Sequence, residues 1–347
     1  MGRGAKKRTA CLAGAVLALA VAAGAQVTPQ DAGQEELLLM FWNVENFFDW
    51  RDGGSGQSDR VFSSLGEKHW TRGRFYAKCN AVVKTVLLTA DRFGRPPDLL
   101  GLAEVENRFV LRQLVQETLL RKWDYEIVHY DSPDRRGIDC ALLYRRSRFR
   151  LLSSRACPLR DSLGAILPTR DILLAVLEPI RGGLAEPVAV LVNHHPSKVG
   201  SGSEKRRALA MGRLSQLRDS LRTAGIGRII AVGDFNDAVT AAPGVAGPFL
   251  WSARGTEKAA PEPFPAARPA RTAGTIKFQG RWEKIDGCPV LEGFRAVEYI
   301  VDAPQLSVRD NGHAGTKPWR TYSGPRYLGG VSDHYPVFYQ LFNEKVE

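Results

Sequence analysis

Apolar residues along this chain come in short runs, and each run stops at a polar side chain. Leu37 to Trp42 stops at Asn43, and Asp98 to Ala103 stops at Glu104. Val188 to Val192 stops at Asn193-His194-His195-Pro196, and Arg228 to Val232 at Gly233-Asp234-Phe235-Asn236. Val290 to Phe294 is a further run with Asp286 just before it, and Gly330-Val331-Ser332-Asp333-His334 leads into Tyr335 to Leu341. Runs this short, bounded by polar and turn residues, predict buried strands and not helices.

Three longer stretches repeat at helical spacing instead. Arg74 to Thr89 does so at Ala77, Ala81, Val82, Thr85 and Leu88, and Phe109 to Leu120 at Val110, Leu114, Val115 and Leu119. Glu204 to Arg222 does so at Leu209, Leu214, Leu217 and Leu221, with Arg and Lys on its other faces. Gly137 to Tyr144, Phe149 to Leu152 and Ile172 to Leu177 predict strands without helices between them. The chain is therefore mixed α/β without a repeat. Residues 241–273, rich in Pro, Ala and Gly, read as a surface insertion in one domain covering 26–347.

The first 25 residues stand apart. Arg3, Lys6, Lys7 and Arg8 precede the apolar stretch Cys11 to Ala23, and Ala23-Gly24-Ala25 supplies small residues for cleavage. This predicts a secretory signal, too short to be a stable span. The expected location is periplasmic or extracellular, with no membrane insertion once the signal is removed. Export permits disulfides among Cys79, Cys140, Cys157 and Cys288, but their spacing dictates no pairing.

Composition narrows the class. An apolar content of 44% and a charged content of 24% exclude collagen-like, disordered and multi-span membrane chains. The net charge is +11; four of those positive charges belong to the signal, leaving +7. That excess, with the basic faces of Glu204 to Arg222, fits a polyanionic partner and counterion-driven binding. Neither Cys nor His spacing suggests zinc.

The residues that end the strands carry the chemistry: Asn43, Glu104, His194, Asp234, Asn236, Asp286, Asp333 and His334. Carboxylates with a side-chain amide suit a hard divalent ion such as Mg²⁺. Two imidazoles with an Asp suit acid–base work or stabilisation of phosphate charge. Each element alone has a plainer reading. Gly-Asp-Phe-Asn-Asp also makes an Asx turn, and Glu104 with Glu106 also opens a helix. Their joint order along one chain is what raises the chemical reading above these.

Six blocks in order carry a resemblance: Phe41-Trp42-Asn43-Val44-Glu45-Asn46, Leu102-Ala103-Glu104-Val105-Glu106-Asn107, Val192-Asn193-His194-His195-Pro196-Ser197, Val232-Gly233-Asp234-Phe235-Asn236-Asp237, Trp282-Glu283-Lys284-Ile285-Asp286 and Ser332-Asp333-His334. From Leu37 to Phe342 the chain resembles the endonuclease/exonuclease/phosphatase superfamily, the DNase I-like metal-dependent phosphoesterases. Gly274 to Phe278 and the long loop before Ser332 are similar to a secreted bacterial branch of it. The resemblance implies a four-layered α/β/β/α sandwich of two mixed sheets, with the site at one end.

It also implies roles. Asn43 and Glu104 hold the divalent metal, Glu104 directly, and Asp333 touches that ion or a second one. Asp234 orients or deprotonates the attacking water, and Asn236 hydrogen-bonds the phosphoryl group. His194 sits against a phosphate oxygen or serves the leaving group; it is preferred to His195 because it directly follows its strand. Asp286 orients His334. Asp139 supports the site from behind, while Arg136 and Lys198 read either as phosphate contacts or as solvated charge. The cofactor implied is Mg²⁺, with Mn²⁺ or Ca²⁺ as alternatives.

The expected protein is a monomeric secreted phosphodiesterase with no protein partner, an endonuclease on DNA or RNA. A phosphatase or a sphingomyelinase or phospholipase C-type hydrolase of small or lipid phosphates is the alternative. No hydrophobic hairpin for insertion into lipid is legible in the sequence. Trp42, Trp251, Trp282 and Trp319 read as core residues or as platforms for bases.

Overall fold

The apolar runs do become strands, and most extend past their last apolar residue into the polar one that ends them. The computed structural model describes residues 36–344 except 182, 183, 185 and 253–273, so the predicted signal lies outside the described residues. In chain order the elements are β1 (Glu36–Phe47), α1 (Arg72–Phe93), β2 (Leu99–Val105), α2 (Arg108–Gln116), β3 (Tyr125–His129), β4 (Asp139–Arg145), β5 (Phe149–Cys157), β6 (Ile172–Pro179) and β7 (Val188–His194). There follow α3 (Ser203–Thr223), β8 (Arg228–Asp234), β9 (Val245–Ser252), β10 (Ile276–Phe278), β11 (Arg281–Glu283), β12 (Asp286–Glu292) and β13 (Phe294–Asp302). The short β14 (Ser307–Arg309), β15 (Thr316–Pro318), β16 (Tyr322–Ser323) and β17 (Arg326–Tyr327) precede β18 (Val337–Asn343).

One sheet has the order β3-β4-β2-β1-β18-β13-β9 and the other β12-β8-β7-β6-β5. Each mixes parallel pairs (β1 with β2, β7 with β8) with antiparallel ones. The layering follows from the period-two alternation of strand side chains. On β7 and β8, Val190, Val192, Ile230 and Val232 join the large core between the sheets. Ala189, Leu191, Ile229 and Ala231 face the other way, onto Ala210, Leu214, Leu217 and Leu221 of α3. Apolar on both faces, these strands read as continuous runs, which is what a sheet covered on both sides requires. Val82 and Val86 of α1 and Leu111 and Leu114 of α2 join the core of the seven-stranded sheet. The result is the expected α/β/β/α sandwich.

Local signals set the helix ends. The Thr71 side chain accepts from the Arg74 amide at the start of α1, and Gly94, at φ 71, closes its end in the left-handed conformation that costs a glycine little. Asn107 caps α2 the same way, accepting from the Val110 amide. The buried face of α1 overlaps the predicted one only in part. Val82 and Thr85 point inward as predicted, together with Phe75, Lys78, Cys79, Val83, Val86 and Thr89, while Ala81 and Leu88 are half-buried and Ala77 is exposed. A lysine on the inward stripe hides the true period.

Two further readings change. Val245–Ser252, within the predicted insertion, is a strand at the sheet edge, paired parallel with β13. Its Gly247-Pro248 reads as loop in sequence, yet an edge strand tolerates a proline. The rest of that insertion, 253–273, lies outside the described residues. The predicted strand Val290 to Phe294 is two strands turned at Gly293, and Asp286 is the first residue of β12, not a residue before it. The four cysteines Cys79, Cys140, Cys157 and Cys288 are buried free thiols.

Candidate active site

Register brings the predicted residues together. β1 and β2 run parallel with Asn43 beside Ala103, so Asn43 and Glu104 leave the first sheet at one end. In the second sheet His194 pairs with Asp234, and Asp234 with Asp286. Three adjacent strands thus set His194, Asp234 and Asp286 in one row, at the ~4.8 Å spacing of neighbouring strands. Gly233 permits this close approach, because a Cβ there would lie 2.3 Å from the Asn193 carbonyl oxygen. His334 completes the set from the start of the last strand. Its backbone carbonyl accepts from the Trp42 indole N–H at 2.9 Å, so Trp42 is a buried core residue and not a platform for bases.

Asp234 is the hub. Its Oδ2 accepts from Asn43 Nδ2 at 3.0 Å and lies 3.6 Å from His194 Nε2 and 3.9 Å from His334 Nε2. Its Oδ1 accepts from the Asn236 amide at 2.9 Å. Asp286 Oδ2 holds His334 Nδ1 at 2.8 Å, which fixes the tautomer and turns Nε2 toward the site. Glu104 Oε2 accepts from the Asn46 amide at 2.8 Å, while its Oε1 lies 3.2 Å from Arg136 Nη2 and 3.8 Å from His194 Nε2. Asn43 Oδ1 accepts from the Glu45 amide at 3.0 Å. Glu45, Asn46, Glu104 and Asn236 all have positive φ, at 47°, 48°, 63° and 51°. Non-glycine residues held there store strain, which collects at functional sites.

The electrostatics separate the two imidazoles. Burial disfavours the charged form of His334, but Asp286, Asp234 and Asp333 outweigh it and raise its pKa well above the ordinary value. Burial first, then Arg170, Arg136 and His334, lowers that of His194 well below. Burial and the Asp286 charge push Asp234 up to about 7, against the pull of His334, Asn43 and Asn236. Burial opposes ionisation of Glu104 as well, but Arg136, the Asn46 amide and His334 hold it below its usual range.

This is a donor set short of positive charge. Asp234, Asp286 and His334 present ligand atoms within 4.8 Å of one another, and Asp286 Oδ1 is buried with no hydrogen-bond partner. Oxygen donors without thiols suit a hard divalent cation, and a cation beside Asp234 and Glu104 would return Asp234 to its ionised form. The residues present therefore fit a divalent metal, which Glu104 and the remaining lone pair of Asn43 Oδ1 would hold.

Asn236 is at the site, with Nδ2 donating to the His195 carbonyl at 3.0 Å and one N–H left over. Asp333 sits at the rim: Oδ2 pairs with Arg320 at 2.9 Å, and Oδ1 lies 3.9 Å from His334 Nε2. Asp139 turns away from His194 and holds His129 Nε2 at 3.2 Å and the Ser132 amide at 2.8 Å. Lys198 pairs with Glu283 at the surface. His195 is buried against Phe235, its ring nitrogens unpartnered, and contributes its backbone carbonyl.

Sequence reasoning missed three residues. Arg170 is buried and ties Asp134 (3.0 Å) to the His195 carbonyl (2.6 Å), fixing the loop that presents Arg136 to Glu104. Lys78 is buried and donates to the Glu45 carbonyl and to Thr321 Oγ1. Burial lowers its pKa to about 8, and burial with Asp333 raises that of Glu45 to about 7. A pocket of about 150 Å³ lies beside them, lined by Glu45, Asn46, Lys68, Arg320, Thr321 and Tyr322. A lysine among the apolar positions of α1 was the one available signal.

The chain is similar to several solved structures. A protein of this family from Bacteroides thetaiotaomicron, 16% identical, superimposes with a TM-score of 0.50 over 90% of this chain and 100% of its own. A truncated TDP2 from Caenorhabditis elegans, 18% identical, gives 0.45 over 88% and 97%, and the human Nocturnin catalytic domain, 21% identical, gives 0.39 over 61% and 71%. No curated protein matches the sequence significantly. The sequence profile of the Endonuclease/Exonuclease/phosphatase family, in contrast, matches residues 38–343, nearly the whole described chain. The chain belongs to that family, whose members are typically metal-dependent hydrolases.

Proposed function

We propose that this protein is an exported, divalent-metal-dependent phosphodiesterase acting on nucleic acid. The observation that carries the reading is the Asp234 hub, with His194 and His334 on either side of one carboxylate and Asp286 behind His334. A water beside Asp234 loses its proton to that carboxylate, which Asn43 and the Asn236 amide hold in place. His334, kept as the imidazolium by Asp286, donates from Nε2 to the phosphoryl oxygens as charge builds on them. His194 stays neutral and positions the opposite side of the phosphate, while Arg136, 41% exposed, reaches the same oxygens from the loop. When bound, the divalent cation supplies Lewis-acid stabilisation of that charge.

Export rests on the signal read at residues 1–25 and nucleic acid on the +7 charge of the remaining chain. A second reading has an observation of its own. The β10–β11 hairpin, bridged to His334 through Ile276, carries Phe278 at its tip with 61% of its surface exposed, a device suited to lipid. A substrate panel decides between them: plasmid DNA, RNA, bis-p-nitrophenyl phosphate and sphingomyelin vesicles, each with Mg²⁺ and with EDTA. Mg²⁺-dependent cleavage of a nucleic acid is expected; cleavage confined to sphingomyelin would overturn the nuclease assignment.

A further inference from the structure

We infer that the starts of α1 and α2 form a track for the phosphate backbone of a nucleic acid, in which Arg72, Arg74, Arg108 and Arg112, with Arg51, hold the strand leading away from the site. The inference rests on the phosphodiesterase reading above and adds where the polymer lies.

Both helices begin at the end of the molecule where β1 and β2 deliver Asn43 and Glu104; Arg108 follows Glu104 by four positions. Acids are the residues that a helix N-terminus favours, because the backbone dipole leaves partial positive charge there. Neither first turn contains one. Arg72 and Arg74 stand in the first turn of α1 and Arg108 in that of α2, against the dipole. Among the described residues none of Arg72, Arg74, Arg108 and Arg112 has a carboxylate within ion-pair distance. Of the acids nearby in sequence, Asp49 holds Arg51 and Glu104 faces Arg136. Glu106 accepts from the Asp49 amide and Ser55, Asp59 accepts from the Gly53 and Ser55 amides, and Asp52, Glu67 and Glu117 are exposed.

Aromatic rings hold several of these guanidinium groups in place. Arg51 lies over Phe109 at 4.1 Å and Trp50 at 5.1 Å; Arg72 lies over Trp50 and Tyr76, each at 5.6 Å. Trp50 in turn touches Tyr76 and Phe109, with both centroids at 5.8 Å, so the starts of α1 and α2 share one platform. Arg74 lies over Tyr327 at 4.2 Å. The row reaches the site through Lys68, which lies over Tyr322 and lines the same pocket as Asn46, whose amide holds Glu104. A guanidinium laid on a ring loses little further rotamer freedom on binding, and at Arg72 its edge stays free for a bidentate phosphate contact. The Arg51 edge already rests on Asp49, and Arg74 Nη1 donates to the Lys68 and His69 carbonyls at 3.1 and 2.8 Å, leaving its other donors for phosphate. Rings already covered by arginine favour contact with the backbone over stacking of bases.

The test uses the full chain and two readouts. Hydrolysis of bis-p-nitrophenyl phosphate with Mg²⁺ reports the phosphodiesterase reading, because that substrate is too short to reach the track. Anisotropy of a labelled single-stranded oligonucleotide in EDTA, across a salt series, reports the track. For Arg72→Gln/Arg108→Gln the small-substrate rate is unchanged. Oligonucleotide affinity falls about tenfold at 0.1 M salt, and the slope of log K against log salt flattens by about 1.4, two phosphate contacts' worth on a single strand. Arg72→Lys/Arg108→Lys keeps most of the slope, and both variants keep the wild-type melting temperature. Equal affinity and slope in wild type and the Gln variant overturn the track, as does a loss seen only with phosphatidylserine vesicles. Failure of the wild type on bis-p-nitrophenyl phosphate overturns the phosphodiesterase reading and leaves the oligonucleotide slope to decide the track.

Discussion

Two arginine-rich faces of this protein differ in what their charges do. On α3, Arg218 pairs with Asp219 and Glu292, Arg222 with Glu292, and Arg207 with Asp237. Glu292 ends the strand that Asp286 begins, about 20 Å away along β12 at the rise of a strand. Arg218 and Arg222 thus neutralise an acid at the far end of that strand, and Arg207 one beside Asn236. Lys205, Arg206 and Arg213 of the same helix have no carboxylate within ion-pair distance among the described residues. At the starts of α1 and α2, Arg72, Arg74, Arg108 and Arg112 have no such partners among the described residues, and Arg72 and Arg74 lie on aromatic rings. The sequence counts the basic faces of Glu204 to Arg222 together with the +7 charge toward a polyanionic partner; the track inferred above rests on the other face. Charge counts locate a binding surface only once the internal pairs have been taken out.

The comparison is broken or sharpened first by removing the chemistry between the faces. His334→Ala is expected to lower phosphodiester cleavage by about 10²–10³-fold, the range of one lost charge-stabilising donor, with oligonucleotide binding in EDTA intact. Assays of both on one preparation check this, and coupled loss of binding would argue against separate surfaces. Next is the structural role of α3. Leu217→Ala, which empties the packing of α3 on β7 and β8, is expected to destabilise by about 2–5 kcal/mol in denaturant unfolding. Arg218→Gln/Arg222→Gln, by contrast, is expected to change stability by no more than about 1 kcal/mol per exposed pair and to leave the salt slope of binding untouched. A flattened slope in that variant would return the polyanion to α3.

The smallest effect is a proton. With Asp234 held near pKa 7 in the metal-free protein, Mg²⁺ binding at pH 6 is expected to release up to about one proton, and at pH 9 close to none. Calorimetry in two buffers of different ionisation enthalpy measures it. The sign for stability follows: between the ordinary aspartate value and about 7 the native state keeps a proton that the unfolded state has released. Stability of the metal-free protein from this group therefore falls as pH rises through that window, and bound cation offsets the fall.

Much of this site was legible because strand ends are local features. Asn43, Glu104, His194, Asp234 and His334 each terminate or precede an apolar run, and no tertiary knowledge is needed to see that. The row formed by His194, Asp234 and Asp286 was not legible as a row, because it depends on β8 lying between β7 and β12. Arg170 and Lys78 were illegible for a different reason. Both are buried cations whose partners are backbone carbonyls and distant side chains, the His195 carbonyl and Asp134 for one, Glu45 and Thr321 for the other. The strand Val245–Ser252 was misread because Gly and Pro signal a loop wherever the edge of a sheet is not yet known.

The central claim is that phosphodiester hydrolysis runs through the Asp234 carboxylate. Its most direct test is Asp234→Asn, which keeps the shape and one of the two accepted hydrogen bonds but removes the base, assayed on bis-p-nitrophenyl phosphate with saturating Mg²⁺. The account expects a turnover lowered by about 10²-fold or more, with the melting temperature held within a few degrees. Wild-type turnover by the folded variant would contradict it.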